Sequence, residues 1–299
     1  MNKRDRESPV GIIGLGIMGG AIARNLIAAG HSISGFDTDP GKMARLRSDG
    51  VIGCGSAAEA ARGADLVLTS LPTVEALEAT VANLVAAPQP DLVVAELSTM
   101  PIEVKQAAHD RLQAAGMILL DCPLSGTGAQ AVTGDLALYA SGDEAAYRRI
   151  RPVFDGFARV SHYLGTFGNG SRMKFVANLL VAVHNVAAAE AIVLGVKAGL
   201  DAERILEVIG SGAGTSRIFE LRGPMMAKGV YTPPTATMHV LQKDSAIIAA
   251  FADALGVDTP MLDAAAPLYD EAEAQGYAEE DVGAVHAVLA RRAGLSLRK

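Results

Sequence analysis

From Ser171 to Ala198 the chain runs without a proline, and small or aliphatic residues fill nearly every position. Such a stretch reads as one unbroken helix of about 42 Å at 1.5 Å per residue. A helix this apolar is buried on most sides, so the chain has to provide other elements to wrap it. Its polar residues are not scattered: at about 100° per residue, Lys174, Asn178 and Asn185 fall within about 40° of one another and share a face. A lysine and two amides directed inward need partners, which a polar ligand in a cleft beside the helix would supply. On that account the helix is the wall of an active site; on the other, Lys174 stands in the first turn and snorkels to solvent.

At 299 residues, with 50% hydrophobic and 20% charged, the chain is long enough for two domains with substantial cores. A formal net charge of -7, with no basic block beyond pairs such as Arg148-Arg149 and Arg291-Arg292, argues against a nucleic-acid partner. It also leaves an anionic substrate without global attraction, so local cations or helix N-termini must hold one. Cys54 and Cys122 are too few for a disulfide scaffold or a metal knuckle, and the six histidines form no H-E-x-x-H pattern. No metal is expected. Met1 to Pro9 has no apolar core like that of a secretory signal. The most membrane-like window, Phe175 to Val196, is interrupted by Asn178, His184, Asn185 and Glu190. A buried helix of a soluble, cytoplasmic protein is the expectation, with no membrane partner.

Val10 to Ile13 is a short apolar run followed at once by Gly14-Leu15-Gly16-Ile17-Met18-Gly19, then by a helical pattern that stops at Gly30. A second apolar run, His31 to Phe36, ends in Asp37, at the distance from the first glycine expected of a dinucleotide fingerprint, about 20 residues. Gly14 makes the tight turn, Gly16 lets backbone approach a pyrophosphate, and Gly19 allows close helix-strand packing. Asp37 would take the ribose hydroxyls and repel the 2′-phosphate of NADP, which favours NAD; Arg45 or Arg47, reaching around from the next helix, would admit NADP. As an alternative, Asp37 initiates the turn Asp39-Pro40-Gly41.

Strands and helices go on alternating. Ser56-Ala57-Ala58-Glu59 fits a capping box, Leu66 to Leu71 a buried strand, Asp91 to Leu97 another, and Ser98-Thr99-Met100-Pro101 a helix start. Alternation of this kind implies a doubly wound, mostly parallel sheet, an α/β Rossmann domain with ligands beyond the carboxyl ends of its strands. That places Leu71, Pro72, Ser98 and Thr99 near the cofactor, although Ser98 and Thr99 are equally good helix caps. The loop Asp121 to Gln130 sets glycines around Ser125 and Thr127, a composition suited either to cradling a carboxylate or to an ordinary glycine-rich turn. Gly165 to Gly170 is a natural boundary, dividing residues 1–168 from an all-α domain at 169–299. Beyond Gly199 helices are expected from Asp201 to Gly210, Thr237 to Leu255, Thr259 to Gln275 and Asp281 to Arg292. A helical unit around one central apolar helix has few ways to cover its faces in a single copy, so a homodimer or homotetramer is expected.

Together these stretches resemble the β-hydroxyacid dehydrogenases, a family that includes 3-hydroxyisobutyrate dehydrogenase, tartronate-semialdehyde reductase and, more distantly, 6-phosphogluconate dehydrogenase. The resemblance is carried by Gly14 to Gly19, by Asp121 to Gly142 with Pro123-Leu124-Ser125-Gly126, by Gly168-x-Gly170-x-x-x-Lys174-x-x-x-Asn178, and by Lys243-Asp244. It implies NAD(P)-dependent oxidation of a small 3-hydroxy acid, with catalysis in a cleft between a Rossmann and a helical domain. Lys174 is then the general acid/base, Asn178 a substrate ligand, Ser125, Gly126 and Thr127 a carboxylate cradle, and Lys243 a neighbour of nicotinamide and substrate. Two departures bear on the substrate rather than the reaction: Thr127 stands where the family has a second glycine, and Ala177 where it has Asn or His. The alternatives are an imine-reductase-like enzyme on the same architecture and a protein that binds NAD without turnover.

Overall fold

A computed structural model describes residues 8–296; Met1 to Glu7, part of the stretch read above for a leader, lies outside the described residues. The chain divides into two compact units, Met1–Lys174 and Phe175–Lys299. The division falls inside the long helix, a turn and a half beyond the glycine-rich boundary expected at 168/169.

In the first unit, strands β1 (Val10–Ile13), β2 (Ile33–Phe36), β3 (Ile52–Gly53), β4 (Leu66–Thr69), β5 (Val93–Glu96) and β6 (Ile118–Asp121) alternate with helices α1 (Ile17–Ala28), α2 (Pro40–Arg47), α3 (Ala57–Ala61), α4 (Val74–Ala86) and α5 (Ile102–Ala114). The strands form one parallel sheet in the order β3-β2-β1-β4-β5-β6. Strand order reverses between β1 and β4, the position where such sheets open a crevice for ligands. β1, β4 and β5 are buried along their whole length, as parallel strands covered on both faces must be. Alternate residues feed two cores. Ile12, Leu68 and Ala95 pack with Ile22 and Leu26 of α1, whereas Ile13, Val67 and Val94 pack with Leu77 of α4 and Leu112 of α5.

Beyond β6 the chain builds a second, three-stranded sheet that was not separated out in the sequence: β7 (Leu124–Ser125), β8 (Ala137–Ala140) and β9 (Val160–Tyr163), with α6 (Gly128–Val132) and α7 (Glu144–Phe154) between them. A bridge between Asp121 and Ser141 joins the two sheets. β3, β7 and α6 escape a sequence reading because two to five residues show no period.

Helix α8 spans Asn169–Lys197, 29 residues, and by length and composition could cross a membrane. In the second unit it is joined by α9 (Ala202–Gly210), α10 (Arg217–Lys228), α11 (Met238–Leu255), α12 (Pro260–Ala272) and α13 (Val285–Arg292). α10 was not anticipated, because Gly223 and Pro224 interrupt its pattern; Ser216 caps it through the Phe219 N–H at 3.1 Å. The helix expected to reach Gln275 ends as α-helix at Ala272 and widens into a π-turn, with Gly276 at φ 95°. Asn185 is fully buried and ties α8 to its neighbours, donating to Val282 O at 2.8 Å and to the Tyr269 hydroxyl at 3.2 Å. Its amide nitrogen therefore pairs with protein groups.

Candidate active site

The glycine turn after β1 has the geometry its sequence requires. Gly14 adopts φ +88°, and a side chain there would overlap the Ser70 carbonyl oxygen; one at Gly19 would overlap that of Gly14. Both are steric necessities of the turn and of α1 packing on the sheet. Gly16 is different: a Cβ built on it meets nothing within 4 Å, and as N-cap of α1 it contributes no side-chain bond to the first turn. Open space in front of uncapped N–H groups at a helix N-terminus fits a pyrophosphate. Met18 packs on the core, whereas Ile17 is 73% exposed beside the turn. Leu15 donates its N–H to Asp37 Oδ2 at 2.8 Å, so Asp37 braces the loop from the end of β2. Its Oδ1 accepts from the Asp39 N–H at 2.8 Å and lies 3.6 Å from Lys42 Nζ, a cation beside the acid that is neither Arg45 nor Arg47.

Further along the same sheet edge, Ser98 accepts the Leu71 N–H on its hydroxyl at 2.8 Å and donates its own N–H to Glu96 Oε1 at 2.9 Å. It links the loops after β4 and β5 and caps no helix. Pro101 is the N-cap of α5, which starts at Ile102, immediately after the segment expected to open it. Pro72 and Thr99 stand in the same two loops, half-buried or exposed. The glycine-rich loop after β6 is partly spoken for. Thr127 caps α6 with a reciprocal box, its N–H donating to Gln130 Oε1 at 3.0 Å and its hydroxyl accepting the Gln130 N–H at 3.3 Å. Gly126, at φ +143°, lies against Leu136, and Ser125 is half-buried on β7.

On α8, Lys174 and Asn178 are both buried, at 9% and 7% exposure, one turn apart. The Asn178 amide donates to Asp244 Oδ2 at 2.7 Å, and Lys243 Nζ lies 3.2 Å from Asp244 Oδ1. Asp244 thereby orients the Asn178 side chain and presents its oxygen elsewhere. The sequence had shown Asp244 only as half of a Lys-Asp pair, and its bond to Asn178 spans too much chain to be inferred from spacing. Arg217 is a surface residue paired with Glu220 at 3.3 Å.

Residues 9–165 match the model for the NAD binding domain of 6-phosphogluconate dehydrogenase, and residues 168–289 that for the NAD-binding domain of NADP-dependent 3-hydroxyisobutyrate dehydrogenase. The chain belongs to the β-hydroxyacid dehydrogenase family. Members similar to it include the L-threonate dehydrogenase of Cupriavidus necator, 35% identical over 92% of this chain and 94% of that one. The crystal structure of 3-hydroxyisobutyrate dehydrogenase from Salmonella typhimurium superposes with a TM-score of 0.85 at 33% identity, covering 94% of this chain and all of the other. A Mycobacterium tuberculosis 3-hydroxyisobutyrate dehydrogenase with L-serine gives 0.85 at 31% identity, over 94% and 99% of the two chains. As a β-hydroxyacid dehydrogenase, the protein is an NAD(P)-dependent oxidoreductase of hydroxy acids, and the glycine turn, the α1 N-terminus and Asp37 are the groups suited to hold its nicotinamide cofactor.

Proposed function

We propose that this dehydrogenase uses NAD to oxidise, reversibly, the carbinol of a small 3-hydroxy acid of the 3-hydroxyisobutyrate or glycerate/tartronate-semialdehyde kind. The bound cofactor takes or supplies the hydride. The remaining tasks fall to side chains. Lys174 accepts the hydroxyl proton during oxidation and returns it during reduction. Asn178, held by Asp244, orients the substrate hydroxyl, with Lys243 beside it. Ser125 and Gly126 hold the carboxylate, and Thr127 contributes less because Gln130 already engages it. The observation that carries the reading is Lys174, a buried amine one turn ahead of a buried amide whose orientation is imposed from outside the helix. An imine-reductase-like activity is disfavoured by the presence of Lys174 together with Asn178.

NAD is preferred because a carboxylate at Asp37 repels a 2′-phosphate, and Lys42 softens that preference without reversing it. A homodimer or homotetramer is supported by α8 itself: Met173, Leu180 and Leu194, at seven-residue multiples, and Val176 are 43% to 73% exposed. Light scattering after gel filtration tests this, and a monomer at micromolar concentration ends it.

The decisive experiment supplies NAD or NADP with a panel of 3-hydroxy acids and follows reduced cofactor. Lys174→Met should lose about 10²-fold or more in kcat while cofactor affinity, from fluorescence titration, stays near wild type. Normal turnover in that variant would remove the lysine from the chemistry. Cofactor binding with no turnover on any hydroxy acid would favour a non-catalytic role.

A further inference from the structure

Lys105, on α5, has no exposed surface, and a fully buried lysine needs an explanation. Its ammonium lies 2.7 Å from Glu96 Oε2 and donates to Asp121 Oδ1 at 2.8 Å. Burial alone would push the amine toward its neutral form; Asp121 first and Glu96 second outweigh it and raise the lysine above its ordinary value. Glu96 and Asp121 are also fully buried, so two acids share one base. Their remaining oxygens have to be met by further donors.

Glu96 Oε1 accepts the Ser98 N–H, and Asp121 is met by Ser141 and by the start of α8. Asp121 Oδ2 accepts the Ser171 N–H at 2.7 Å and Oδ1 accepts the Ser171 hydroxyl at 2.8 Å. Ser141 donates to Oδ2 at 3.3 Å, and in turn accepts the Gly170 N–H at 2.9 Å. A long helix presents its positive end here, adding to the attraction. Gly170 lets the turn approach this closely, since a side chain there would overlap the Tyr139 and Asp121 carbonyl oxygens. Ser171 precedes Lys174 by three residues, on the same turn of α8.

We propose that Asp121 is a positioning residue for the reaction: locked by Lys105, its carboxylate clamps the first turn of α8 and thereby sets where the Lys174 amine stands. The proposal rests on Lys174 being the acid/base. Lys105 touches no reacting atom in this scheme; with its ammonium shared by Glu96, it holds the Asp121 carboxylate in place. The triad sits at the carboxyl ends of β5 and β6, and Asp121, at the end of β6, is the member that meets the first turn of α8.

The test is the kcat of Asp121→Asn, normalised per cofactor-binding site, with the KM for the hydroxy acid and the primary deuterium isotope effect measured alongside. The expected result is a fall of about 30-fold or more in kcat, the scale of an ångström-sized misplacement, with cofactor affinity and KM within about threefold. The isotope effect should rise as hydride transfer becomes rate-limiting. Ser171→Ala keeps the backbone bond and should lose about three- to tenfold in kcat, and Ser171→Thr, which restores the hydroxyl, should regain most of it. If Asp121→Asn does not fold, the Ser171 pair carries the test. Unchanged kcat per site in Asp121→Asn or in Ser171→Ala, while Lys174→Met is inactive, overturns the clamp. Normal turnover in Lys174→Met instead overturns the assignment of the lysine.

Discussion

Each unit buries an ionic network, and the two are closed in different ways. In the helical unit Arg222 Nε donates to Asp281 Oδ1 at 3.0 Å, one base to one acid, and the carboxylate is then saturated from its own surroundings. The Gly283, Thr235 and Ala236 N–H groups and the Thr235 hydroxyl all donate to it. Burial would raise Asp281, but Arg222, Thr235 and Gly283 together hold its carboxyl below the usual range. The Rossmann unit instead places two acids on one lysine, and their other oxygens are met by Ser98, by Ser141 and by the first turn of α8. A balanced pair ties loops together and stops there. Two acids on one base need further donors, and for Asp121 these include the first turn of the helix that bears Lys174.

The sharpest way to break that comparison is to remove each base. Lys105→Met and Arg222→Met should each lose about 3–5 kcal/mol at pH 7, because each strands a buried carboxylate. Their pH responses should differ. In Lys105→Met, Glu96 and Asp121 face one another without a cation, which raises the folded-state pKa of the pair. Stability should then recover as pH falls from 7 to 5 and one proton binds. In Arg222→Met, Asp281 keeps its other donors and should show little recovery. Equal slopes in urea titrations would erase the distinction.

A smaller effect belongs to the helical unit alone. Burial lowers His286 to about 4, with the Tyr231 hydroxyl 2.9 Å from its Nδ1. Since the unfolded chain protonates near 6.5, the His286 contribution to stability should decline as pH falls from about 6.5 to 4, by about 3 kcal/mol in total, and level off below that. Asp281, lowered from its ordinary value, adds its own loss only as pH falls further. His286→Gln should flatten the slope; an unchanged slope would mean that another group titrates.

The smallest expected difference concerns the carboxylate loop. Thr127→Ala removes the α6 cap, worth about 0.5–2 kcal/mol, and should raise KM for the hydroxy acid less than Ser125→Ala does. The reverse order would show that the capping box opens to bind substrate.

Much of the fold was legible before any coordinates. The apolar runs at Val10 and Leu66, the glycine fingerprint and the proline-free stretch of α8 signal their structures locally, because steric and burial constraints act over a few residues. Gly14 and Gly19 could be given roles on those grounds alone. Ser98 could not. It looked as much like a helix cap as a cofactor neighbour, and it became a link between two loops because β4 and β5 are adjacent in the sheet. Asn185 was likewise indistinguishable from Asn178 by period, yet one meets Tyr269 and Val282 and the other Asp244.

What the chain's order of residues determines by itself is which segments become strand or helix, where the nucleotide turn lies, and that a lysine and an amide share one face of a long apolar helix. Those properties follow from backbone sterics and from side-chain periodicity, which are local. Tertiary structure alone decides how polar groups far apart in sequence are paired: Asp244 with Asn178, Asp281 with Arg222, and Asp121 with both Lys105 and Ser171. The reason is physical. The partner of a buried charge is whichever group the fold brings within about 3 Å of it, and no spacing along the chain encodes that distance.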